Sequence, residues 1–257
     1  MKYQKPQLTY DELAAALMKT NRELEDLERS RTEFYANISH DLRSPLAALS
    51  SSVEYLLSLE EISKDELKSV LKIVQGRVKV LEHMVNDMFL LTTLENEEIP
   101  FSNSEIDMGP FLEEFFFERE MDKRYVNRKL ILSVPDNLKA RTLIDTDKFL
   151  RLLDNLFTNA LKYSNDGDSI ELGASIEGEM LAIWVRDTGI GIKEELVPRV
   201  FERAFTVSKA RTPDVEKTGC GLGLSIAKTI VQRMKGDIDC KSKEGEGSVF
   251  TVRLPLL

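Results

Sequence analysis

Apolar residues repeat with a period of seven positions between residues 13 and 57. Charged residues such as Arg22 and Glu25 fill the positions between them. A seven-residue apolar repeat with charged flanks predicts a long helix with a coiled-coil seam. The seam residues fall into two registers, with Leu17, Leu24 and Ile38 in one and Leu13, Leu27 and Phe34 in the other.

A second amphipathic helix is predicted after a short break. Ser63 is suited to cap its N-terminus, because Glu66 follows three residues later. Two long helices joined by about six residues form an antiparallel hairpin. A lone hairpin leaves one apolar stripe open, so we expect a second copy of the chain to close it as a four-helix bundle. The stripe of the second helix is Leu67, Val70, Leu71, Val74, Val78, Leu81, Val85, Met88 and Leu91.

The pattern changes to alternating strands and helices after the polar residues 95–104. This alternation predicts a helix layer on a mixed sheet in a second domain. The predicted strands are 130–134, 169–176, 181–186, 236–240 and 248–254, and the predicted helices are 108–124, 147–163 and 223–234. The predicted units are an N-terminal coiled-coil helix (1–30), a helical hairpin (31–96), a linker (97–104) and an α/β domain (105–257).

The composition narrows the range of functions. A net charge of -9 argues against nucleic acid or an anionic membrane as the main partner. Two cysteines, Cys220 and Cys240, are too few for a disulfide framework and fit a reducing compartment. No apolar run approaches the ~20 residues of a membrane-spanning helix. We therefore expect these residues to be cytoplasmic, whether or not the protein continues upstream into a sensor or membrane segment.

His40 is a candidate nucleophile on the first helix, where Asp41 follows it. A neutral imidazole can attack phosphorus at about pH 7, and a carboxylate that accepts its other N–H fixes the tautomer. Pro45 cannot donate to the carbonyl of Asp41, so we expect the helix to bend there. Helical spacing predicts that the imidazole faces solvent. The residues on its face are Ser44, Ala47, Ser51 and Glu54. His83, on the second helix, receives no catalytic role.

Four polar or aromatic residues share one face of the helix predicted at 147–163, namely Asn155, Asn159, Lys162 and Tyr163. A side-chain amide oxygen suits Mg²⁺, which takes few protein ligands. Lysine one turn later can meet the charge of a phosphate. Any one of these residues taken alone is more simply explained as a polar position on a surface helix.

Two glycine-containing segments suit a nucleotide. In residues 187–192, which follow a predicted strand, Asp187 can accept from the exocyclic amine of adenine, and two glycines allow close approach of the backbone. Residues 218–224 read Thr-Gly-Cys-Gly-Leu-Gly-Leu and open a predicted helix. Glycine-rich amides at a helix N-terminus make an anion site suited to a triphosphate.

Residues 34–46 resemble the H box of histidine kinases, whose pattern is close to F-x-x-x-(I/V)-S-H-(E/D)-L-(R/K)-(T/S)-P-L. The resemblance covers the whole segment. It implies that His40 is the phosphoacceptor and Asp41 the general base or orienting acid. It further implies that Ser44 positions water for dephosphorylating the partner. Family members usually carry Thr or Asn there, and serine lacks the methyl group that restricts a threonine rotamer.

The later segments resemble, in order and spacing, the N, G1, G2 and G3 boxes of the ATP-binding fold shared by gyrase-type ATPases, the Hsp90 family, histidine kinases and MutL. Residues 245–250 correspond to the G3 box. The resemblance implies a GHKL (Bergerat) α/β sandwich that binds ATP and Mg²⁺, with Asn159 as the metal ligand. The implied ATP-binding residues are Asn155, Asn159, Lys162, Tyr163, Asp187, Gly189, Gly191, Arg203, Gly219, Gly221, Leu222 and Gly223.

Residues 201–206 resemble the F box, usually F-E-R-F-Y-R, and residues 203–217 fit an ATP lid. Here Ala204 replaces an aromatic residue and Thr206 replaces the arginine. Threonine cannot offer phosphate the planar, charge-assisted contacts of a guanidinium. We predict a looser lid or rescue by another cation, the candidates being Arg203, Lys209 and Arg211.

The resemblance implies an ATP-dependent protein-histidine kinase of a two-component system. It would phosphorylate its own His40 and pass the phosphoryl group to an aspartate of a response-regulator receiver domain. The receiver would dock beneath His40, at Ala47, Ser51 and Glu54. Two other functions fit part of the pattern. One is a regulatory scaffold that binds ATP without transfer, which the intact His40 and Asn159 oppose. The other is an ATPase or chaperone of the same fold in which the hairpin only dimerises.

Overall fold

A computed structural model describes residues 10–96, 98–205 and 221–257. Two long helices come first, α1 (Tyr10–Ser58) and α2 (Lys64–Glu95). Ser63 caps α2 as predicted, since its side chain accepts from the Glu66 backbone N–H at 3.2 Å. The Tyr55 hydroxyl donates to Glu66 Oε1 at 2.6 Å and ties the end of α1 to the start of α2. The two helices therefore form the predicted hairpin.

Helix α1 runs without interruption through Pro45, which is buried. Proline inside a helix removes one hydrogen bond at a cost of about 3 kcal/mol, and burial of its ring offsets part of that cost. Along the hairpin a set of apolar side chains stays exposed in the single chain, consistent with an open stripe: Leu46, Val53, Leu71, Val78, Val85 and Phe89. Among the described residues, no helix has both the length and the hydropathy needed to cross a bilayer.

The second unit is an α/β sandwich. Its five-stranded sheet has the order β2 (Lys129–Ser133), β4 (Ser169–Glu177), β5 (Met180–Asp187), β7 (Gly247–Pro255) and β6 (Asp237–Lys243). The β2–β4 pair is parallel and the other neighbours are antiparallel. Each of the five predicted strands overlaps one of these. The mixed sheet and the helix layer confirm the predicted fold class.

Within the described ranges, three helices cover one face of this sheet: α3 (Met108–Glu120), α4 (Thr146–Tyr163) and α5 (Gly223–Arg233). Side chains of β7 alternate in burial, and Phe250, Val252 and Leu254 point into the core. The rings of Phe115 and Phe157 meet edge to face with centroids 5.1 Å apart, which joins α3 to α4. Helix α3 ends at Glu120, four residues before the predicted end.

A small two-stranded sheet was not predicted. It pairs β1 (Ser104–Asp107) with β3 (Arg141–Ile144) in antiparallel register. Asp145 follows β3 and caps α4 by accepting from the Lys148 backbone N–H at 3.2 Å. The other carboxylate oxygen of Asp145 accepts from Ser102 N–H at 3.0 Å, which ties the linker to the α/β unit.

Candidate active site

A cavity opens between α4, the loop that follows β5 and the start of α5. Its wall combines polar residues of α4 with the carboxylate at the end of β5 and an apolar floor. The residues that line it include Asn155, Thr158, Asn159, Lys162, Tyr163, Asp187, Ile190, Gly191, Ile192, Val200, Phe205, Gly221, Leu222, Gly223, Leu224, Ser248 and Phe250. An apolar pocket with a few convergent polar groups is the usual form of a small-molecule site.

The polar residues of α4 reach this cavity as the helical spacing predicted. Asn155 also holds the next element in place, because its Nδ2 donates to the Gly223 carbonyl at 3.0 Å. That bond fixes the glycine-rich N-terminus of α5 against α4. The Lys162 ammonium lies 5.0 Å from the ring centroid of Tyr163, within cation–π range. Asn159 lines the cavity one helical turn beyond Asn155.

Asp187 is the buried acid of the site, with 5% of its surface exposed. It accepts from the Gly189 backbone N–H at 2.9 Å. Burial raises the pKa of this carboxyl above its ordinary value, although the amides of Gly189 and Ser248 act in the opposite direction. A buried acceptor at the cavity wall suits a hydrogen-bond donor on a ligand.

The two glycines after Asp187 have different roles. Gly191 lines the cavity with φ +66°, and an added Cβ would lie 2.0 Å from the Lys243 carbonyl oxygen. Gly189 is outside the lining. An added Cβ there would lie 2.2 Å from the Tyr163 carbonyl oxygen, which accepts from Ile190 N–H at 3.0 Å. Gly189 therefore lets the loop pack on the end of α4.

The predicted phosphate loop is described in part. Gly221, Leu222 and Gly223 line the cavity at the N-terminus of α5. Backbone N–H groups of the first helical turn lack intrahelical partners and favour anions. Gly219 lies outside the described residues, as do Cys220, Thr206, Lys209 and Arg211.

Arg203 is not brought to the cavity wall. Its guanidinium pairs with Glu95 of α2 at 2.5 Å and lies 5.8 Å from the ring centroid of Phe34 on α1. The next residue, Ala204, has φ 55°, so the chain turns sharply after Arg203. The carboxylate at the end of α2 provides the counter-ion, which explains why this side chain points at the hairpin in the structure.

His40 is exposed on α1, with 81% of its side chain accessible. Its Nδ1 lies 3.5 Å from Asp41 Oδ1, at the outer limit of hydrogen bonding. The carboxylate can thus orient the ring although neighbouring residues of a helix do not share a face. The other residues of the predicted face are exposed as well, namely Ser44, Ala47, Ser51 and Glu54.

Three polar residues of the cavity were missed in the sequence, and one of them, Thr158, lies on α4 beside Asn159. The other two come from elements far from α4 in the chain. Ser248 lies opposite Asp187 in the β5–β7 register and is buried. Only the pairing of strands 61 residues apart brings it there. Asp87 reaches the cavity from α2, in the other unit of the chain. No local pattern signals either position, because each depends on long-range packing.

Comparison with known proteins decides the family. Residues 30–97 match the model of the His Kinase A (phospho-acceptor) domain. Residues 144–257 match that of the histidine kinase-, DNA gyrase B- and HSP90-like ATPases. Sensor histidine kinase WalK of Bacillus subtilis is 37% identical over 235 residues, covering 91% of this chain and 38% of WalK. The chain belongs to the histidine kinases. The predicted family is therefore confirmed.

Other histidine kinases are similar as well. Sensor protein kinase WalK of Staphylococcus aureus is 34% identical over 238 residues, with 91% of this chain and 38% of the relative covered. The chain thus spans little more than a third of these curated relatives. Histidine kinase ThkA, solved in complex with response regulator TrrA, matches with a TM-score of 0.72 at 21% sequence identity. The match covers 98% of this chain and 68% of the ThkA chain. Full-length ShkA, solved in complex with AMPPNP, matches with a TM-score of 0.61 at 25% sequence identity. That match covers 86% of this chain and 45% of the ShkA chain.

Proposed function

We propose that this histidine kinase segment phosphorylates its own His40 from Mg·ATP and passes the phosphoryl group to an aspartate of a response regulator. The observation that carries the proposal is that one chain holds an exposed imidazole on a helical hairpin and a pocket lined by Asn159, Lys162 and Asp187. The ATPase family model and the solved complex of ShkA with AMPPNP support ATP as the substrate.

In the proposed complex, Asp187 accepts from the adenine amine and Lys162 meets phosphate charge. Among the described residues, no group of three acidic, histidine or cysteine side chains could hold a metal alone. The amide oxygen of Asn159 suits Mg²⁺, which completes its shell with phosphate oxygens and water. The metal would supply charge neutralisation between the phosphates. Tyr163 stacks against the base or ribose.

The reaction is in-line attack by a ring nitrogen of His40 on the γ-phosphorus. The bond from the γ-phosphorus to the bridging oxygen breaks, ADP leaves, and a nitrogen–phosphorus bond forms. Asp41 accepts from the other ring N–H and stabilises the charge that develops on the imidazole. The phosphohistidine then donates to the carboxylate of the regulator. A receiver docked beneath His40 would contact Ala47, Ser51 and Glu54.

Labelling with γ-³²P-ATP tests the proposal. Wild type should take up acid-labile, base-stable phosphate, and both His40→Gln and Asn159→Ala should abolish the label. His83→Gln is the matched control, since His83 is exposed on α2 and should leave labelling unchanged. An unlabelled wild type that binds ATP would favour the regulatory scaffold. Steady phosphate release that survives His40→Gln would favour the ATPase alternative.

Two partners follow from the same proposal. The apolar side chains left exposed along the hairpin support a homodimer through a four-helix bundle, and the phosphoacceptor family model agrees with it.

We assign dephosphorylation of the regulator to the Ser44 hydroxyl, which is exposed one turn after His40. Ser44→Ala should slow decay of the phosphorylated regulator without loss of His40 labelling. Unchanged decay would exclude that role. Use of ATP and a response regulator also supports a cytoplasmic location.

A further inference from the structure

In the part of the α/β unit that the structure describes, three arginines contact the hairpin and the linker. Arg151 of α4 pairs with Asp87 of α2. Arg203 pairs with Glu95 at the end of the same helix. Arg233 of α5 donates to the carbonyls of Leu94, Asn96 and Ile99. The nucleotide-binding unit is therefore held on the last turns of α2 by charged contacts.

Asp87 differs from the other acceptors because it also lines the nucleotide cavity. Its side chain is 15% exposed and that of Arg151 is 32% exposed, so the pair is partly withdrawn from water. Arg151 lies one turn before Asn155 on α4 and shares its face. A carboxylate of one unit at the wall of the pocket that would hold a triphosphate is thus paired with a counter-ion of the other unit, one helical turn before the cavity residue Asn155.

A triphosphate in this pocket would oppose the Asp87–Arg151 pair in two ways. Its negative charge would repel the Asp87 carboxylate, and the low exposure of that carboxylate reduces the screening of the repulsion by water. Phosphate oxygens also compete for the planar guanidinium of Arg151, which binds phosphate as readily as carboxylate. Breaking the partly buried Asp87–Arg151 ion pair costs free energy as long as one of the two charges stays unpaired. A phosphate that pairs with Arg151 removes part of that cost and so favours separation of the α/β unit from α2.

The docked position is displaced from the phosphoacceptor. The Tyr55–Glu66 hydrogen bond sets the register of the antiparallel helices. Asp87 is 21 residues beyond Glu66 and is therefore level with Phe34, which is 21 residues before Tyr55. His40 lies six residues nearer the turn, about 9 Å along the axis. The nucleotide-binding unit must leave Asp87 and shift along the hairpin before its pocket faces His40.

We propose that Asp87 and Arg151 form a latch that holds the nucleotide-binding unit away from His40 until nucleotide phosphates compete for Arg151. The latch rests on the proposed nucleotide site. Because binding and undocking are linked, docking must weaken nucleotide binding by the same factor by which nucleotide weakens docking. Nucleotide therefore acts both as substrate and as the signal that frees the unit.

The test uses hydrogen exchange of backbone amides 84–95 together with AMP-PNP titration. In wild type, AMP-PNP removes part of the protection of these amides. In Asp87→Asn and Arg151→Gln this nucleotide-sensitive protection is already absent without nucleotide. AMP-PNP therefore causes no further loss of protection in either variant. Asp87→Asn also binds AMP-PNP about fivefold more tightly, because no docking contact has to break. The charge-swapped double variant, Asp87→Arg with Arg151→Asp, regains protection in the absence of nucleotide.

Arg141→Gln is the matched control, since Arg141 forms an exposed pair with Glu105 within the α/β unit at 2.8 Å. It should behave as wild type in both measurements. If wild type binds AMP-PNP and the protection of 84–95 does not change, the latch is overturned while the proposed function stands. If wild type binds no AMP-PNP, the nucleotide site itself is overturned and the latch with it.

Discussion

At the scale of single residues, the site is built from side chains whose surroundings set their chemistry. Asp187 is the clearest example, since burial raises its pKa while its position at the cavity wall calls for a charged acceptor. Cys240 shows the opposite outcome: burial raises the pKa of its thiol to about 12, so it stays protonated and unreactive. Burial thus acts in the same direction on both groups, and at Asp187 the backbone N–H groups of Gly189 and Ser248 oppose it by stabilising the ionised form.

The raised pKa of Asp187 predicts a pH dependence of nucleotide binding. In the proposed complex the ionised carboxylate accepts a hydrogen bond from the adenine amine, and the protonated form would lose that interaction. Because the pKa lies above the ordinary aspartate range, affinity should begin to fall on acidification at a higher pH than for an ordinary aspartate. The loss can reach about tenfold per pH unit for one linked proton. Calorimetric titration with AMP-PNP at several pH values measures it.

Asp187→Asn supplies the control for this pH dependence. The variant carries no titrating group at this position, so its weaker affinity should vary only with ionisation of the nucleotide itself. The difference between the two profiles isolates the carboxyl. Parallel profiles for wild type and Asp187→Asn would contradict the role of Asp187 in binding the base.

At the scale of elements, the sequence predicted those helices and strands whose formation depends on residues close together in the chain. Helix α2 begins where Ser63 and Glu66 predicted, because a cap is a contact between residues three apart. The five strands of the main sheet were recognised from apolar runs bounded by turns. In contrast, β1 and β3 have four residues each, and their pairing depends on closing a loop between residues 107 and 141. Such short strands carry too little periodicity to be read from sequence.

The residues of the site also divide into those that local geometry places and those that long-range packing places. The face of α4 that carries Asn155, Asn159 and Lys162 follows from helical geometry, and the structure brings all three to the cavity. Arg203 was expected there from the F-box pattern alone. In the structure a long-range counter-ion, Glu95, holds it elsewhere. Ser248 and Asp87 enter the cavity through strand pairing and packing between the two units, which no local spacing encodes.

At the scale of the whole molecule, specific side-chain contacts hold the segment that connects the hairpin to the α/β unit. Arg233 donates to three carbonyls of residues 94–99 and stacks on Phe101 with its guanidinium carbon 4.3 Å from the ring centroid. It thereby satisfies carbonyls at the end of α2 that lack helical partners. The proposed movement of the nucleotide-binding unit toward His40 would therefore involve α2 as well as the linker.

Arg233→Ala should loosen this connection without harming the pocket, because Arg233 lies at the opposite end of α5 from Gly223. Loss of these charge-assisted hydrogen bonds costs about 1–3 kcal/mol locally, so the segment around Glu95 and Glu98 should open more often. Cleavage there by a glutamate-specific protease should accelerate several-fold, while AMP-PNP affinity stays as in wild type. Arg186→Ala, an exposed position on β5, is the control and should not change the cleavage rate. Equal cleavage in Arg233→Ala and wild type would show that the linker is held by other contacts, such as the bond from Ser102 N–H to Asp145.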